Sequence, residues 1–513
     1  MSPALPEDVW RCVASFLPPL NIHRLISVNQ ACYNIAMDLK YQQVEWKTLD
    51  RWMLRSLVRL RTTEAARRVR RLHIRAWFIE YLIQKESLTT ASRAAITSSK
   101  RWFSRLLTPQ ASSSLIPQKI TTAHEILDAM TAALRLMTQV TEYSFEWRDL
   151  PPTSDTLRLL TTARTAFGIS LRKLTLRAQL CNYKALVSTV DFDGLEELEL
   201  HFDHDNGVED GPTLLRETIA PFINHFRRTI SSLRITGVSN TDLASLFHAL
   251  EVFPHLRKLA TFLTFDETHL SDPSGLVRVL RRNSDTLTDL ELGWSYALSS
   301  DSADKPPSTW PAFKTAFTAD STLLAHLCIL TMPMLDTFTA TLACLQRSAD
   351  TLTHLTLLGH FLNPTEFAEL VQVFAHRPFD AGLNSLTVGI AYLAVDILDL
   401  LASRLPGLND LNLIMPDNLL SLLRGLHDEP DSFCHTLLGR KYPDWQLTNL
   451  GIYTNRLVSP PVYVSDEFEM MQHLAWCVPN VKTFKGEDMG GSPYHRSGPV
   501  WNRCPLFDTN ARS

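Results

Sequence analysis

Seventeen histidines, eight cysteines and a dense run of arginines are the side chains of this 513-residue chain with the most chemistry to offer, and their spacing decides whether they can use it. A zinc peptidase needs two histidines one helical turn apart, a serine hydrolase needs a nucleophile on a glycine-flanked elbow, and a nucleotide site needs a glycine-rich loop between strand and helix. None of these patterns occurs. Gly490 and Gly491 have no strand pattern before them and no helix pattern after, and Cys12, Cys32, Cys181, Cys328, Cys344, Cys434, Cys477 and Cys504 include no CxxC pair. The cysteines read as reduced, mostly buried thiols. His326 and His354 fall at matching points of two repeated phrases and read as sheet residues. The arginines remain: Arg51, Arg55, Arg59, Arg61, Arg67, Arg68, Arg70, Arg71 and Arg75 have only Glu64 among them. Planar guanidinium groups suit phosphate, so this segment is either an anion-binding surface or a solvated helix face bridging two modules. The expectation is binding rather than catalysis, with no metal and no cofactor.

The elements that position these residues follow from a phrase that keeps returning: an apolar residue, two variable, an apolar, one variable, an apolar. It begins at Val69, Val140, Leu171, Leu195, Ile230, Leu256, Leu287, Leu324, Leu352, Leu383, Leu408 and Leu447, with a degenerate copy at Val481. The last three positions alternate as a half-buried strand does. Between phrases the period becomes helical, as in Leu127, Met130, Ala133 and Leu134; Leu243, Leu246, Phe247 and Leu250; Leu276, Val277 and Leu280; Phe367, Leu370, Val371 and Phe374; and Ile397, Leu400 and Leu401. Strand then helix at intervals of mostly about 24 to 39 residues is the signature of a solenoid. The pattern resembles the leucine-rich repeat family, which implies parallel strands on the concave side and helices on the convex side. The Asn or Cys that usually follows the strand there is largely missing, which points to a distorted arc.

Strand alternation leaves the residues between the buried ones on the open face. In the first four phrases these are Arg71, His73 and Arg75; Glu142, Ser144 and Glu146; Lys173, Thr175 and Arg177; and Glu197, Glu199 and His201. Basic and acidic strips alternate, so Arg71, Arg75, Glu142, Glu146, Lys173, Arg177, Glu197 and Glu199 form the candidate contact set for a protein partner selected by charge. Asp289 and Glu291 apart, the later strands offer Ser385, Thr387, Asp410, Asn412, Asn449 and Tyr453.

Ahead of the repeats, residues 5–41 are too apolar to stand in water and too few to fold alone. Leu5 and Pro6 fix an extended entry, Glu7 and Asp8 place negative charge at a helix N-terminus, and Val9, Val13, Phe16 and Leu17 recur at helical spacing. Pro18 and Pro19 end that helix. Leu25, Ile26, Val28 and Cys32, then Ile35, Ala36 and Leu39, make about three short helices in all. The order Leu-Pro, acid, apolar pair, then Leu-x-x-Leu/Ile-x-x-Val, resembles the F-box family, with Cys32 standing where that family has an aromatic. The resemblance covers about the first tenth of the chain. It implies docking on a Skp-type adaptor, and through it on a cullin and a RING protein, with Leu5, Pro6, Leu17, Leu25 and Val28 at the interface.

Composition sets the outer bounds. A chain with 45% hydrophobic and 20% charged residues is globular and has a sizeable core. Its net charge of -4 and pI near 6.5 argue against a nucleic acid or anionic membrane partner. No apolar run reaches the roughly 18 residues of a membrane span; the stretch Val388 to Val395 is followed by Asp396 and Asp399. Glu7 and Asp8 stand where a secretory signal carries basic residues, so the expected location is cytoplasmic or nuclear. The expected fold is α/β: a three-helix F-box-like module over 1–46, an Arg-rich helical bridge over 47–68 and an irregular leucine-rich-repeat-like solenoid over 69–485. A Ser/Thr-rich insertion at 87–118 and a loosely ordered tail at 486–513, with Trp501 and Phe507 as its anchors, complete the outline. Trp46, Trp52 and Trp77 read as packing between module and first repeat. The resemblance implies a substrate-recognition subunit of an SCF-type cullin-RING ubiquitin ligase, with no catalytic residues of its own and an unspecified protein substrate. The competing reading is a repeat scaffold whose N-terminal helices merely cap it.

Overall fold

The repeated phrase is a burial pattern as much as a sequence pattern. The computed structural model describes residues 6–17, 19–79, 81–82, 122–147, 153–190, 192–203, 210–237, 242–263, 265–294, 309–320, 322–334, 337–377, 382–416, 436–437, 439–454, 472–485, 494–497 and 500–503. Within these, the first residue of the phrase is at most 2% exposed at Val69, Val140, Leu171, Leu195, Ile230, Leu256, Leu287, Leu352, Leu383, Leu408, Leu447 and Val481. A strand follows each.

The chain divides into two units, Met1–His255 and Leu256–Ser513. The first opens with helices α1 (Glu7–Ser15), α2 (Pro19–Arg24) and α3 (Gln30–Tyr41). Its sheet then runs through β1 (Gln43–Trp46), β2 (Arg71–Arg75), β3 (Glu142–Glu146), β4 (Lys173–Gln179), β5 (Glu197–Asp203) and β6 (Ser232–Gly237), each parallel to the next. Helices α4 (Arg51–Arg59) and α5 (Thr63–Ala66) connect β1 to β2, and Ala123–Leu136, Ser154–Phe167 and Leu180–Val187 serve the next gaps. The second unit carries β7 (Lys258–Leu263), β8 (Asp289–Trp294), β9 (Ile329–Pro333), β10 (His354–Leu362), β11 (Ser385–Ile390), β12 (Asp410–Met415), β13 (Asn449–Thr454) and β14 (Thr483–Lys485), again parallel neighbours in chain order. Its helices include Ser274–Arg282, Trp310–Ala319, Phe338–Ser348, Pro364–Phe374 and Val395–Arg404. Each unit is thus a stack of strand–helix repeats with helices on one face of a parallel sheet, the α/β repeat solenoid that the periodicity implies.

Backbone groups bind repeat to repeat at the entry of the strands. The carbonyl of the phrase's second residue accepts two N–H groups from the next repeat. Thr141 and Glu142 donate to the Arg70 carbonyl at 2.8 and 3.0 Å, and Thr353 and His354 to the Cys328 carbonyl at the same distances. Hydroxyls of Thr141, Ser231, Thr288, Thr353 and Thr448, each at the second position of its own phrase, add a third bond to that shared carbonyl.

The structure departs from the sequence reading in several places. The sheet starts one strand early: Tyr41-x-x-Val44-x-Trp46 is an aromatic version of the phrase, and β1 pairs with β2. The helical module therefore ends at Tyr41, and α4 and α5, read as a bridge, are the outer arm of the first repeat. In the phrase placed at Leu324, two overlapping frames fit, and the strand uses the later one, Leu327, Leu330 and Met332, leaving Ile329 37% exposed. His354 consequently pairs in register with Ile329, not with His326. Leu398, not Leu400, completes the buried stripe of Val395–Arg404. Trp46 is fully buried and donates to Ser56 Oγ at 3.2 Å, but Trp52 faces outward. Cys32, Cys344 and Cys477 are buried, whereas Cys12 and Cys181 are exposed; among the described residues no cysteine is in a disulfide. In the tail, β15 (Tyr494–Ser497) and β16 (Val500–Arg503) form an antiparallel hairpin on β14, with Trp501 in β16. Phe507 and the 87–118 insertion lie outside the described residues.

Strand β10 contains an irregularity between Leu357 and Phe361, where Gly359 adopts φ 82°. Its neighbour Gly389 lies so close that a Cβ there would sit 2.3 Å from the His360 carbonyl oxygen. Since backbone rather than a flexible side chain blocks it, Gly389→Ala should cost about 1–3 kcal/mol of stability, read as a lower denaturant midpoint with unchanged slope.

Candidate functional site

Two surfaces stand out in the first unit. The earlier is made by the N-terminal helices. Pro6 sets the extended entry, with φ −56° and ψ 152°, and its carbonyl accepts from the amides of Val9 and Trp10. Asn29 caps α3 through the Cys32 amide at 2.8 Å. Trp10, Ala14 and Leu17 point inward onto Ile22, Ile35 and Ala36, so the module's core is small. About 100° further round α1, Val9 is 41% exposed, Val13 43% and Phe16 82%, with Val13 also reaching the interior beside Leu17 and Leu25, and after α2 Ile26 and Val28 are 37% and 58% exposed. No residue of α1 is buried. A contiguous helix with apolar residues on its solvent side is what an interaction surface looks like, since isolated exposed residues need no explanation but a row of them does.

Of the five residues the F-box resemblance assigns to an adaptor, Pro6 and Val28 are exposed. Leu17 and Leu25 are half-buried, and both line the module's interior alongside Cys32. Leu5 lies outside the described residues. The outward residues that the assignment omitted are Val9, Val13, Phe16 and Ile26. Their i, i+4, i+7 spacing in α1 was visible in the sequence, but Trp10, Ala14 and Leu17 make a second apolar row with the same spacing. Arg68 fastens this module to the first repeat, pairing with Asp38 at 2.5 Å and donating to the Asn34 carbonyl at 3.0 Å.

The second surface is the open face of β2 to β5. All eight predicted contact residues lie on these strands, level with one another: Arg71 beside Glu142 beside Lys173 beside Glu197, and Arg75 beside Glu146 beside Arg177. They neutralise each other. Arg71 pairs with Glu142 at 2.9 Å, Arg75 and His73 with Glu146 at 2.7 Å each, and Lys173 with Glu199 at 2.7 Å and Glu197 at 3.4 Å. Arg177 turns to Asp203, which the sequence reading missed because it stopped at His201, at 2.9 Å. Little free charge is left for a partner, so what this face presents is a patterned dipolar surface.

The second unit's open face is quieter. The Asn412 amide donates to the Thr387 hydroxyl at 3.2 Å, Asn449 donates to Asp410, and Thr483 donates to Asn449. Asp289 is pushed up by burial, with Lys258 and His354 opposing. At the ends of these strands Asn409, Gln446, Thr448, Asn480 and Lys482 line a shallow open cleft of about 500 Å³. Among the described residues no group of three or more His, Cys, Asp or Glu is placed to hold a metal ion, and no helix is long and apolar enough to cross a membrane.

The ion pairs leave an electrostatic mark. Burial pushes the Glu146 carboxyl up, but His73 and Arg75 more than reverse this and hold it at about 2. Glu199 is also held at about 2, by His201 first, then, against desolvation, by Lys173 and the Thr175 hydroxyl. At 3.9 Å the His201 ring lies beyond normal hydrogen-bond distance of the Glu199 carboxylate. Because both folded-state values lie below the unfolded one, the stability they contribute is complete above about pH 5.5 and lost as pH falls toward 2. Allowing for solvent screening, each should contribute about 1–2 kcal/mol. Thermal unfolding followed from pH 6 down to pH 3 should show this decline, and Glu146→Gln with Glu199→Gln should flatten it.

No protein-family model and no curated protein matches the chain. Among solved structures, it is similar to a crystal structure of a Rad7 and Elc1 complex in yeast, with 15% identity over 66% of this chain and 79% of that one and a TM-score of 0.40. A Bacteroides fragilis protein shows 13% identity over 56% of this chain and 69% of its own, with a TM-score of 0.28. The fold is a leucine-rich-repeat-like solenoid preceded by a helical module that exposes Val9, Val13 and Phe16.

Proposed function

We propose that this chain is the substrate-recognition subunit of an SCF-type cullin-RING ubiquitin ligase and has no catalytic activity of its own. The N-terminal helices dock on a Skp-type adaptor, and the open sheet face holds a protein substrate. The observation that carries this reading is the outward apolar row Val9, Val13 and Phe16 with Ile26 and Val28, on the module whose residue order resembles an F-box. Such a subunit acts by position: it raises the effective concentration of a substrate lysine near the conjugating enzyme. Arg68, paired to Asp38 and bonded to Asn34, ties the two parts together so that docking at one end fixes the other.

Co-purification with a Skp-type adaptor and cullin is the test. The full chain should bring down the adaptor and, through it, the cullin. The same Arg68 tether also fits a module that only caps the repeats. Failure to bind the adaptor, at concentrations that saturate an F-box protein, would decide for that scaffold reading.

A further inference from the structure

The open sheet face has its charges paired, whereas the outer arm of the first repeat does not. Helix α4 buries Met53, Ser56 and Leu57, with Leu60 just beyond it. At 100° per residue, Arg51, Arg55 and Arg59 then fall on the opposite side, with Trp52 along the same edge. All three arginines are exposed, as are Arg61 in the following turn and Arg67 just past α5, and Trp52 is 46% exposed. None of these five arginine side chains has an ion-pair partner among the described residues, while Arg68, Arg71, Arg75 and Arg177 all do. Like charges at i, i+4 and i+8 repel one another, so the helix carries a stripe that works against its own stability.

We propose that this stripe binds an acidic peptide segment of a partner protein. The geometry fits such a ligand. Successive guanidinium groups stand about 6 Å apart along the helix, which matches carboxylates two residues apart on an extended chain or four apart on a helix. Each guanidinium takes a carboxylate through two parallel hydrogen bonds, and Trp52 offers an apolar flank. Overall charge separates this ligand from a nucleic acid. Residues 51–71 hold eight arginines and one glutamate; removing them from the chain's 50 basic and 54 acidic residues leaves 42 and 53, a balance of −11. A long polyanion meets that surrounding repulsion, whereas a short peptide touches only the stripe.

Fluorescence anisotropy on the full chain with a labelled decaglutamate peptide tests this, with decaglutamine and a single-stranded oligonucleotide of equal charge as comparisons. Decaglutamate should bind at about 50 mM salt, weaken as salt rises, and bind more tightly than either comparison. Arg51→Glu, Arg55→Glu and Arg59→Glu together should weaken it by roughly ten- to hundredfold with helical content unchanged. Arg228→Glu, Arg282→Glu and Arg404→Glu change the net charge equally at exposed sites elsewhere and should have less than about a twofold effect. Equal loss from the two triple variants, tighter binding of the oligonucleotide, or no decaglutamate binding would each overturn the proposal.

Discussion

Phe16→Asp combined with Val28→Asp should abolish capture of a Skp-type adaptor while leaving the chain folded. Phe16 is 82% exposed and Val28 58%, so neither supports the module's own core, which rests on Ile22, Ile35 and Ala36 with Trp10, Ala14 and Leu17. If the adaptor covers both, burial of each contributes about 1.5–3 kcal/mol. Aspartate removes that contribution and leaves a carboxylate to be desolvated without a partner. A combined loss of about 4 kcal/mol corresponds to roughly a thousandfold in affinity, readable by calorimetry or surface binding. Leu17→Ala and Leu25→Ala provide the contrast. Those side chains line the module's interior, so their substitution should lower the melting temperature and weaken the adaptor only as far as the module loosens. Full adaptor binding by the Phe16 and Val28 double variant would remove the basis of the docking proposal.

That contrast shows where the sequence is readable and where it is not. The repeats are legible because their signal is redundant: one buried position recurs a dozen times, and a strand follows each. Single copies lose that protection. Tyr41, Val44 and Trp46 satisfy the frame with aromatic residues at two of its three positions, of which Trp46 reads equally well as inter-module packing, and residues 324–332 satisfy it twice. Only the exposure of Ile329 shows which frame the chain uses. Helix α1 has the same difficulty in another form. Val9, Val13 and Phe16 make one apolar row and Trp10, Ala14 and Leu17 another, and periodicity gives two faces without saying which is inside. On the open sheet face, the phrase alignment already put Arg75, Glu146 and Arg177 side by side. What it lacked was side-chain reach, since Arg177 pairs two residues further along β5, with Asp203.

The same pairing changes how the substrate face has to be tested. Reversing a charge there, as in Lys173→Glu, should damage the fold before it reports on any partner. The new carboxylate would stand level with Glu142 and Glu197 and close to Glu199, where Lys173 now makes contacts at 2.7 and 3.4 Å. Two like charges about 4 Å apart in a partly screened setting repel by about 4 kcal/mol. Rotation of the side chain into water should reduce the net cost to about 2 kcal/mol. The loss should be greatest near neutral pH and shrink below about pH 4, as the clustered carboxyls take up protons. A swap separates the two effects. Lys173→Glu with Glu199→Lys remakes the pair with its direction inverted and should recover most of the lost stability, while reversing the pattern that a partner meets. A substrate selected by charge would be lost by the refolded swap. A substrate that binds the swap as tightly as the wild type would move recognition away from β2 to β5, onto the quieter second-unit face of Thr387, Asn412 and Asn449.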